Sequence, residues 1–260
     1  MLDRVELVQR RRHRGGSPVT SVSFLQGNIS GGDATILGLY EATSGITQAS
    51  NLVSQWDDAR GAAGFGPSLT ASGSAKPTWD GVNMLVSGDA VAMEMTTAAD
   101  AKFDLSNAIS LCVVGVFPNN ASGGIRYAAS ICNATTPTKM VAVATPASSG
   151  NIIQGVFFPD PQILATLVAT GASRRLAIST KTAGTTITTQ VASQAAISGT
   201  ISANPATGNN RLSLFTFFTG SGNFGDATVR AVVVLNRVAT AGDLTALSSW
   251  ATSFHGAILA

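Results

Sequence analysis

Apolar positions along most of the chain come in short runs separated by glycine, proline, serine and asparagine. The runs include "ATILGLY" from Ala34, "NLVSQW" from Asn51, "MVAVAT" from Met140, "NIIQGVFF" from Asn151, "RLSLFTFF" from Arg211 and "ATVRAVVVLNR" from Ala227. Runs of this length bounded by turn formers predict β-strands. In "RRLAISTK-TAG-TTITTQVA", Leu176 and Ile178 alternate with Arg175, Ala177 and Ser179, and Ile187 and Val191 alternate with threonines. That period of two on both sides of a glycine turn predicts a hairpin. "VNMLV-SGDA-VAMEM" predicts a second hairpin around a Ser-Gly-Asp turn, and "PASSG" joins the strands from Met140 and Asn151. The run of apolar residues from Val229 to Leu235 suits a central strand covered on both faces.

One segment breaks this rhythm. In "TAGDLTALSSWATSFHG", Leu244, Leu247, Ala251 and Phe254 recur with helical spacing. Thr240 and Asp243 form a Thr-x-x-Asp capping pair before them, and Gly256 follows as a stop. A lone C-terminal helix among many short strands predicts an all-β architecture. We expect a two-sheet antiparallel sandwich with the helix lying on it. Residues 1–32 carry no comparable core pattern: "LDRVELVQR" reads as a short amphipathic helix or a strand, and "RRRHRGG" and "GGSP" follow. The expected organisation is an extended N-terminal arm over 1–32 and one domain over 33–260. No fixed-period repeat is evident.

Composition sharpens the picture in two places. Charged residues make up 12% of the 260 positions, about half the usual share of roughly 25%. Either the outer faces carry Ser and Thr in place of Lys and Glu, or other subunits cover much of the surface. The net charge is +2, yet Arg4, Arg10, Arg11, Arg12 and Arg14 face only Asp3 and Glu6 in the first twenty residues. The domain is therefore near neutral and offers nucleic acid no basic field. Arg10, Arg11, Arg12 and Arg14 are the candidate anchoring residues, since guanidinium groups suit bidentate contacts with a partner protein. A salt-sensitive grip on nucleic acid and a solvated tail are the alternatives. The apolar runs are far shorter than the ~18 residues of a membrane-spanning helix, and no apolar stretch behind the arginines makes a secretion signal. Synthesis and assembly in the cytoplasm are expected.

Cys112 and Cys132 lie in "AISLCVVGVF" and "IRYAASICNA", equidistant from Ser122. A hairpin turning there would place them opposite each other, so a disulfide and two buried thiols are both open. Cytoplasmic manufacture favours the thiols.

Candidate chemistry is sparse. A glycosidase with two carboxylates needs them about 5–10 Å apart. The chain has three glutamates, Glu6, Glu41 and Glu94, and none stands in a Glu-x-Asp-x-x-Glu strand. His13 falls in the arm and His255 beyond the last helix. Neither zinc-ligand spacing nor a phosphate-binding glycine loop occurs. No enzymatic activity and no cofactor are expected. Calcium is the one candidate ion, at Asp57 and Asp58, which otherwise serve the turn after Trp56. Phe65, Trp79, Tyr127 and Phe224 lie near turns and are the candidate sugar-stacking aromatics. The alternative for Trp56, Trp79 and Trp250 is core packing.

Three stretches together carry a family resemblance: "VSQWDDARG" (Val53–Gly61), "KPTWDGVNMLVSGDAVAME" (Lys76–Glu94) and "VRAVVVLNRVATAGDLTALSSWATSFHG" (Val229–Gly256). They resemble the strand-and-turn, the following strand pair, and the closing strand with its helix in concanavalin A-like (LamG-type) jelly-roll domains of bacteriophage virion proteins. The family's usual acid at the start of the closing strand is replaced by Arg230 or Ala231. "AAGFG" stands where a polar, often histidine-containing stretch is common. The resemblance implies a jelly-roll virion structural protein, either a head spike or decoration or a tail fibre or tip. It would be held to other virion proteins by its arm and assembled as a homo-oligomer such as a trimer. The alternative it leaves open is an adhesin for a host surface glycan, with a polysaccharide lyase or hydrolase as a third reading.

Overall fold

The computed structural model describes residues 18–61, 65–71, 75–81, 85–86, 93–117, 125–133, 140–145, 152–158, 162–168, 173–191, 194–205, 207–216 and 227–258. Helix α1 (Ser21–Asn28) comes first and helix α2 (Ala241–His255) last. Between them run β1 (Ile36–Glu41), β2 (Ile46–Ala49), β3 (Leu52–Trp56), β4 (Leu69–Ala71), β5 (Thr78–Trp79), β6 (Leu85–Val86), β7 (Met95–Thr96) and β8 (Ile109–Val116). Then follow β9 (Arg126–Asn133), β10 (Met140–Thr145), β11 (Ile152–Phe158), β12 (Gln162–Val168) and β13 (Arg175–Lys181). The last strands are β14 (Thr186–Val191), β15 (Ile197–Thr200), β16 (Asn210–Leu214) and β17 (Thr228–Leu235).

These strands form the two antiparallel sheets expected. One has the order β1-β17-β8-β13-β14-β15. The other runs β2-β3-β4-β7-β16-β9-β10-β11-β12, and the short pair β5-β6 bridges the two at one edge. The sandwich core between the sheets contains Leu111, Val113, Val232 and Val234 from one side and Ile131, Val141, Val143 and Leu212 from the other. Gly155 on β11 allows the sheets to meet closely, because a Cβ there would collide with Thr189 Oγ1 on β14.

β17 is central, paired with β1 and β8, and its apolar residues serve two cores. Val232 and Val234 face the other sheet, while Ala231, Val233 and Leu235 face a second core beneath the helices. This continuous burial explains its unbroken apolar run. The second core includes Leu25 and Ile29 near α1, Leu247, Trp250 and Ala251 of α2, and Cys112, Val114 and Ile178 of the sheet.

Helix α2 matches the sequence reading. Thr240 and Asp243 make a reciprocal capping box, and Gly256 closes the helix with φ of 64°. Its buried stripe is centred on Leu247, Trp250 and Ala251, with Leu244 and Phe254 at the margins. Asp243 is buried. Burial alone would push its carboxyl up, but the Thr240 backbone and hydroxyl, the Ser30 N–H and Arg237 together hold it below the usual value.

Three expectations need correction. Residues 18–32 are not part of an extended arm: Thr20 caps α1 in a capping box with Ser23, Leu25 is fully buried, and Phe24 meets Phe254 of α2 at 5.5 Å between ring centroids. Residues 1–17, with the arginine cluster, lie outside the described residues. β6 and β7 do not pair as a hairpin, since β6 pairs with β5 and β17 and β7 with β4 and β16. β8 and β9 also belong to opposite sheets. Cys112 faces the helices and Cys132 the outer side of the other sheet, and both are buried thiols outside any disulfide. Two outward-facing positions on opposite layers cannot meet the Cβ separation a disulfide requires. The β13–β14 hairpin and the β10–β11 pair are as predicted.

Candidate functional site

A concavity with convergent polar groups follows β3. Trp56 ends that strand fully buried, its indole N–H donating to the Glu41 carbonyl at 3.0 Å. The chain then turns through Asp57 and Asp58. Asp58 accepts N–H bonds from Leu39 (3.1 Å), Gly66 (2.9 Å) and the Arg60 backbone (3.0 Å). It also receives a bidentate fork from the Arg60 guanidinium at 2.9 and 2.7 Å. Arg60 donates further to the Ile36 carbonyl and lies over the Phe65 ring, 4.4 Å from its centroid. Arg60 and Asp58 therefore act as a buried clamp that fixes the turn and holds Phe65 in place.

The clamp leaves a cavity of about 640 Å³ lined by Ser44, Gly45, Asp57, Phe65, Gly66 and Ser68, among others. That volume lies within the ~300–1,000 Å³ of small-molecule sites. Two glycines keep the geometry possible. Gly45 has φ of 73°, and a Cβ there would lie 2.7 Å from the Asp57 carbonyl oxygen. A Cβ at Gly66 would come within 2.7 Å of Asp58 Oδ2 and 2.9 Å of the Tyr40 hydroxyl. Tyr40 supports the lining turn from behind: it is fully buried and its hydroxyl donates to the Pro67 carbonyl at 2.6 Å. Burial, aided by the Asp58 charge, pushes its phenol well above the ordinary value.

Asp57 is held differently. Its Oδ1 accepts from Gln55 Nε2 at 2.7 Å and from Ser68 Oγ at 2.5 Å, while no described group donates to its Oδ2. The pair considered for calcium is thus split: both oxygens of Asp58 are taken by N–H donors, and Asp57 faces the cavity. Among the described residues no group of three or more His, Cys, Asp or Glu side chains converges as a metal site.

The other predicted site residues are dispersed. Trp79 is half-buried against the main core and donates to the Ala42 carbonyl at 3.3 Å. Tyr127, expected near the surface, is 4% exposed within a small apolar cluster, and its phenol is pushed up to about 12 by burial. Its ring is therefore not available for stacking in this fold. Phe224 and Arg10, Arg11, Arg12 and Arg14 lie outside the described residues. Phe65, Asp57 and Asp58 are the predicted positions that come together.

Sequence reasoning missed a second polar cluster, at the seam between the helices and the first sheet. Glu41 Oε1 accepts from the Ser21 hydroxyl, from Trp250 Nε1 at 3.2 Å and from His255 Nε2 at 3.2 Å. Trp250 Nε1 also donates to Ser21 Oγ at 2.6 Å. His255 is the last residue of α2, not beyond it, and is 1% exposed. Burial lowers its imidazole pKa, against the pull of Glu41, with Arg230 and Arg174 also lowering it. The cluster combines the residue types of a hydrolase triad in another arrangement. Ser21 Oγ (3.4 Å) and Glu41 both lie on Nε2, and the buried Nδ1 has no partner, whereas a triad places the acid on Nδ1. An acid ending the apolar strand "ILGLYE" was the available signal, because a buried charge demands partners.

No family model and no curated protein matches the chain. Solved structures do share its fold. Trypanosoma rangeli sialidase, in a covalent intermediate with 2,3-difluorosialic acid, is 11% identical over 98% of this chain and 39% of that one, with a TM-score of 0.62. The same sialidase with sialic acid is 10% identical over 96% and 38%, TM-score 0.61. The binding domain of botulinum neurotoxin serotype D is 7% identical over 84% and 52%, TM-score 0.57. The chain thus spans well under half the length of those sialidases and about half of the neurotoxin domain. These likenesses place it among lectin-like β-sandwiches.

They also overturn the expectation that the chain has no enzymatic activity, because its sandwich occurs within glycoside hydrolase chains. That expectation rested on the lack of paired carboxylates or a histidine triad. Sialidases work with a tyrosine nucleophile, so the premise was too narrow.

Proposed function

We propose that this protein is a carbohydrate-binding, lectin-like domain whose site is the cavity beside Asp57 and Phe65. The observation that carries the reading is the cavity itself. A half-buried aromatic is pinned by Arg60 beside the unpaired carboxylate oxygen of Asp57, with two serine hydroxyls also lining a space of sugar size. Sugar recognition uses this combination of an apolar ring and fixed polar groups. The sialidase and neurotoxin binding-domain likenesses lend the fold to the same reading.

The test is a glycan array with the full chain, followed by titration of any hit against Phe65→Ala. Binding that Phe65→Ala weakens at least about tenfold supports the site. An empty array at high micromolar protein, or binding indifferent to Phe65, would sink it. A fluorogenic glycoside panel run alongside reads any hydrolysis.

The setting on a phage particle rests on the resemblance of Val53–Gly61, Lys76–Glu94 and Val229–Gly256, and on the arginine-rich start of the chain. In that setting residues 1–17 are the tether and the sandwich is displayed, as a trimer or other homo-oligomer. Deleting 1–17 spares α1. It should leave a folded sandwich that no longer joins particles, and normal incorporation would refute the tether.

A further inference from the structure

From the charge arrangement at the cavity we infer that its ligand is a neutral sugar presenting adjacent hydroxyls, and that acidic sugars are excluded. This rests on the carbohydrate-binding reading above and adds the ligand's class. The charges facing the space are Asp57 and Asp58. The nearest cation, Arg60, is fully engaged: its guanidinium forks onto Asp58, reaches the Ile36 carbonyl, lies 3.6 Å from Asp33 and covers one face of Phe65. Lys102 stands outside the lining, its ammonium donating to the Phe65 carbonyl at 2.9 Å. No cation lines the cavity among the described residues, so a ligand carboxylate would find no counter-charge there.

The unpaired group is an acceptor. Among the described residues none donates to Asp57 Oδ2, and an ionised carboxylate can only accept. Its natural complement is a pair of hydroxyl donors, and hydrogen bonds to a charged acceptor are the strong ones. Ser68, whose hydroxyl hydrogen is already given to Asp57 Oδ1, can only accept from a ligand, while the Ser44 hydroxyl in the same lining can donate or accept. The same carboxylate repels a ligand anion in a partly enclosed space, which is specificity by repulsion. The sialidase among the fold neighbours is seen in complex with sialic acid or its difluoro derivative, so the inference separates this site from that ligand.

Matched probes decide it. Binding of glucose and galactose methyl glycosides is titrated against glucuronate and galacturonate methyl glycosides, which differ in carrying a carboxylate. Lactose is compared with 3′-sialyllactose. The tests use the full chain and Asp57→Asn, with folding checked by circular dichroism. The expected result is that at least one neutral sugar binds, its acidic partner binds at least about tenfold more weakly, and Asp57→Asn loses neutral-sugar affinity by a similar factor while narrowing the gap. Equal or tighter binding of the acidic partners, still abolished by Phe65→Ala, would overturn the neutral-sugar inference and leave the site standing. Binding unaffected by both Asp57→Asn and Phe65→Ala, or no sugar binding, would overturn the site and this inference with it.

Discussion

Glu41 and Asp57 are both carboxylates set close to Trp56, yet they hold opposite positions. Glu41, 3% exposed, gathers three donors from two helices, Ser21 of α1 and Trp250 and His255 of α2, onto a single oxygen. Asp57 is half-buried, lines an open space, keeps two local partners on one oxygen and has no described donor on the other. The first arrangement is closed and ties the two ends of the described chain to the sheet. The second holds its neighbours just enough to stay shaped while remaining unsatisfied. A buried polar group that meets all its partners specifies structure; one left short on a surface is available to a ligand.

That contrast can be broken from both sides. The largest effect should come from Trp250→Ala, which removes a fully buried ring and its two hydrogen bonds at the helix–sheet seam. A loss of about 3–5 kcal/mol in urea unfolding is expected. Glu41→Gln should cost about 1–3 kcal/mol, since three donors lose a charged acceptor but keep the shape. Either variant unfolding at the wild-type midpoint would mean that the seam is not what holds the helices.

Acid should open the seam next. Because the folded-state pKa of His255 is lowered, the unfolded chain takes up the proton first. The contribution of His255 is therefore fully present above the unfolded value of about 6.5 and is lost as pH falls below it. Protonation would also put a second N–H on Nδ1, which has no acceptor. Urea midpoints measured from pH 8 to 5 should decline in the acidic half, and His255→Gln should flatten that decline. An unchanged slope in the variant would assign it to another group. The smallest effect on stability is expected at the cavity: Asp57→Asn should stay within about 0.5 kcal/mol of wild type while sugar binding suffers. A large stability loss there would place Asp57 with the structural carboxylates.

Much of the sandwich was readable in short range order. The strand runs, the β13–β14 alternation and the Thr240–Asp243 cap each depend on neighbours a few residues apart, and each appears where the pattern put it. The failures share a cause. The symmetry of Cys112 and Cys132 about Ser122 suggested a hairpin, but β8 and β9 cross from one sheet to the other. A hairpin and an arch have the same local sequence, and burial on both sides of each strand removes the alternation that would separate them. Helix α1 was missed because "SVSFLQGN" offers one well-buried residue, Leu25, and its stability comes from packing on α2. At the site, the roles of Asp57, Asp58 and Phe65 in a turn could be guessed. The Glu41 cluster could not, because its partners lie far apart in the chain; the Arg60 fork joins neighbours in the turn, but its burial depends on the distant Ile36 carbonyl.

The two cysteines, useless to each other as a bridge, have another use. Burial raises both thiols, Cys132 to about 11, so neither is a ready nucleophile while its cover is in place. Cys112 lies beneath the helices and Cys132 on the outer side of the opposite layer. Each is thus a native clock for one side of the molecule. The rate at which an alkylating reagent reaches Cys112 would time the lifting of the helices, and the rate at Cys132 the opening of the far face, with no label added to the protein.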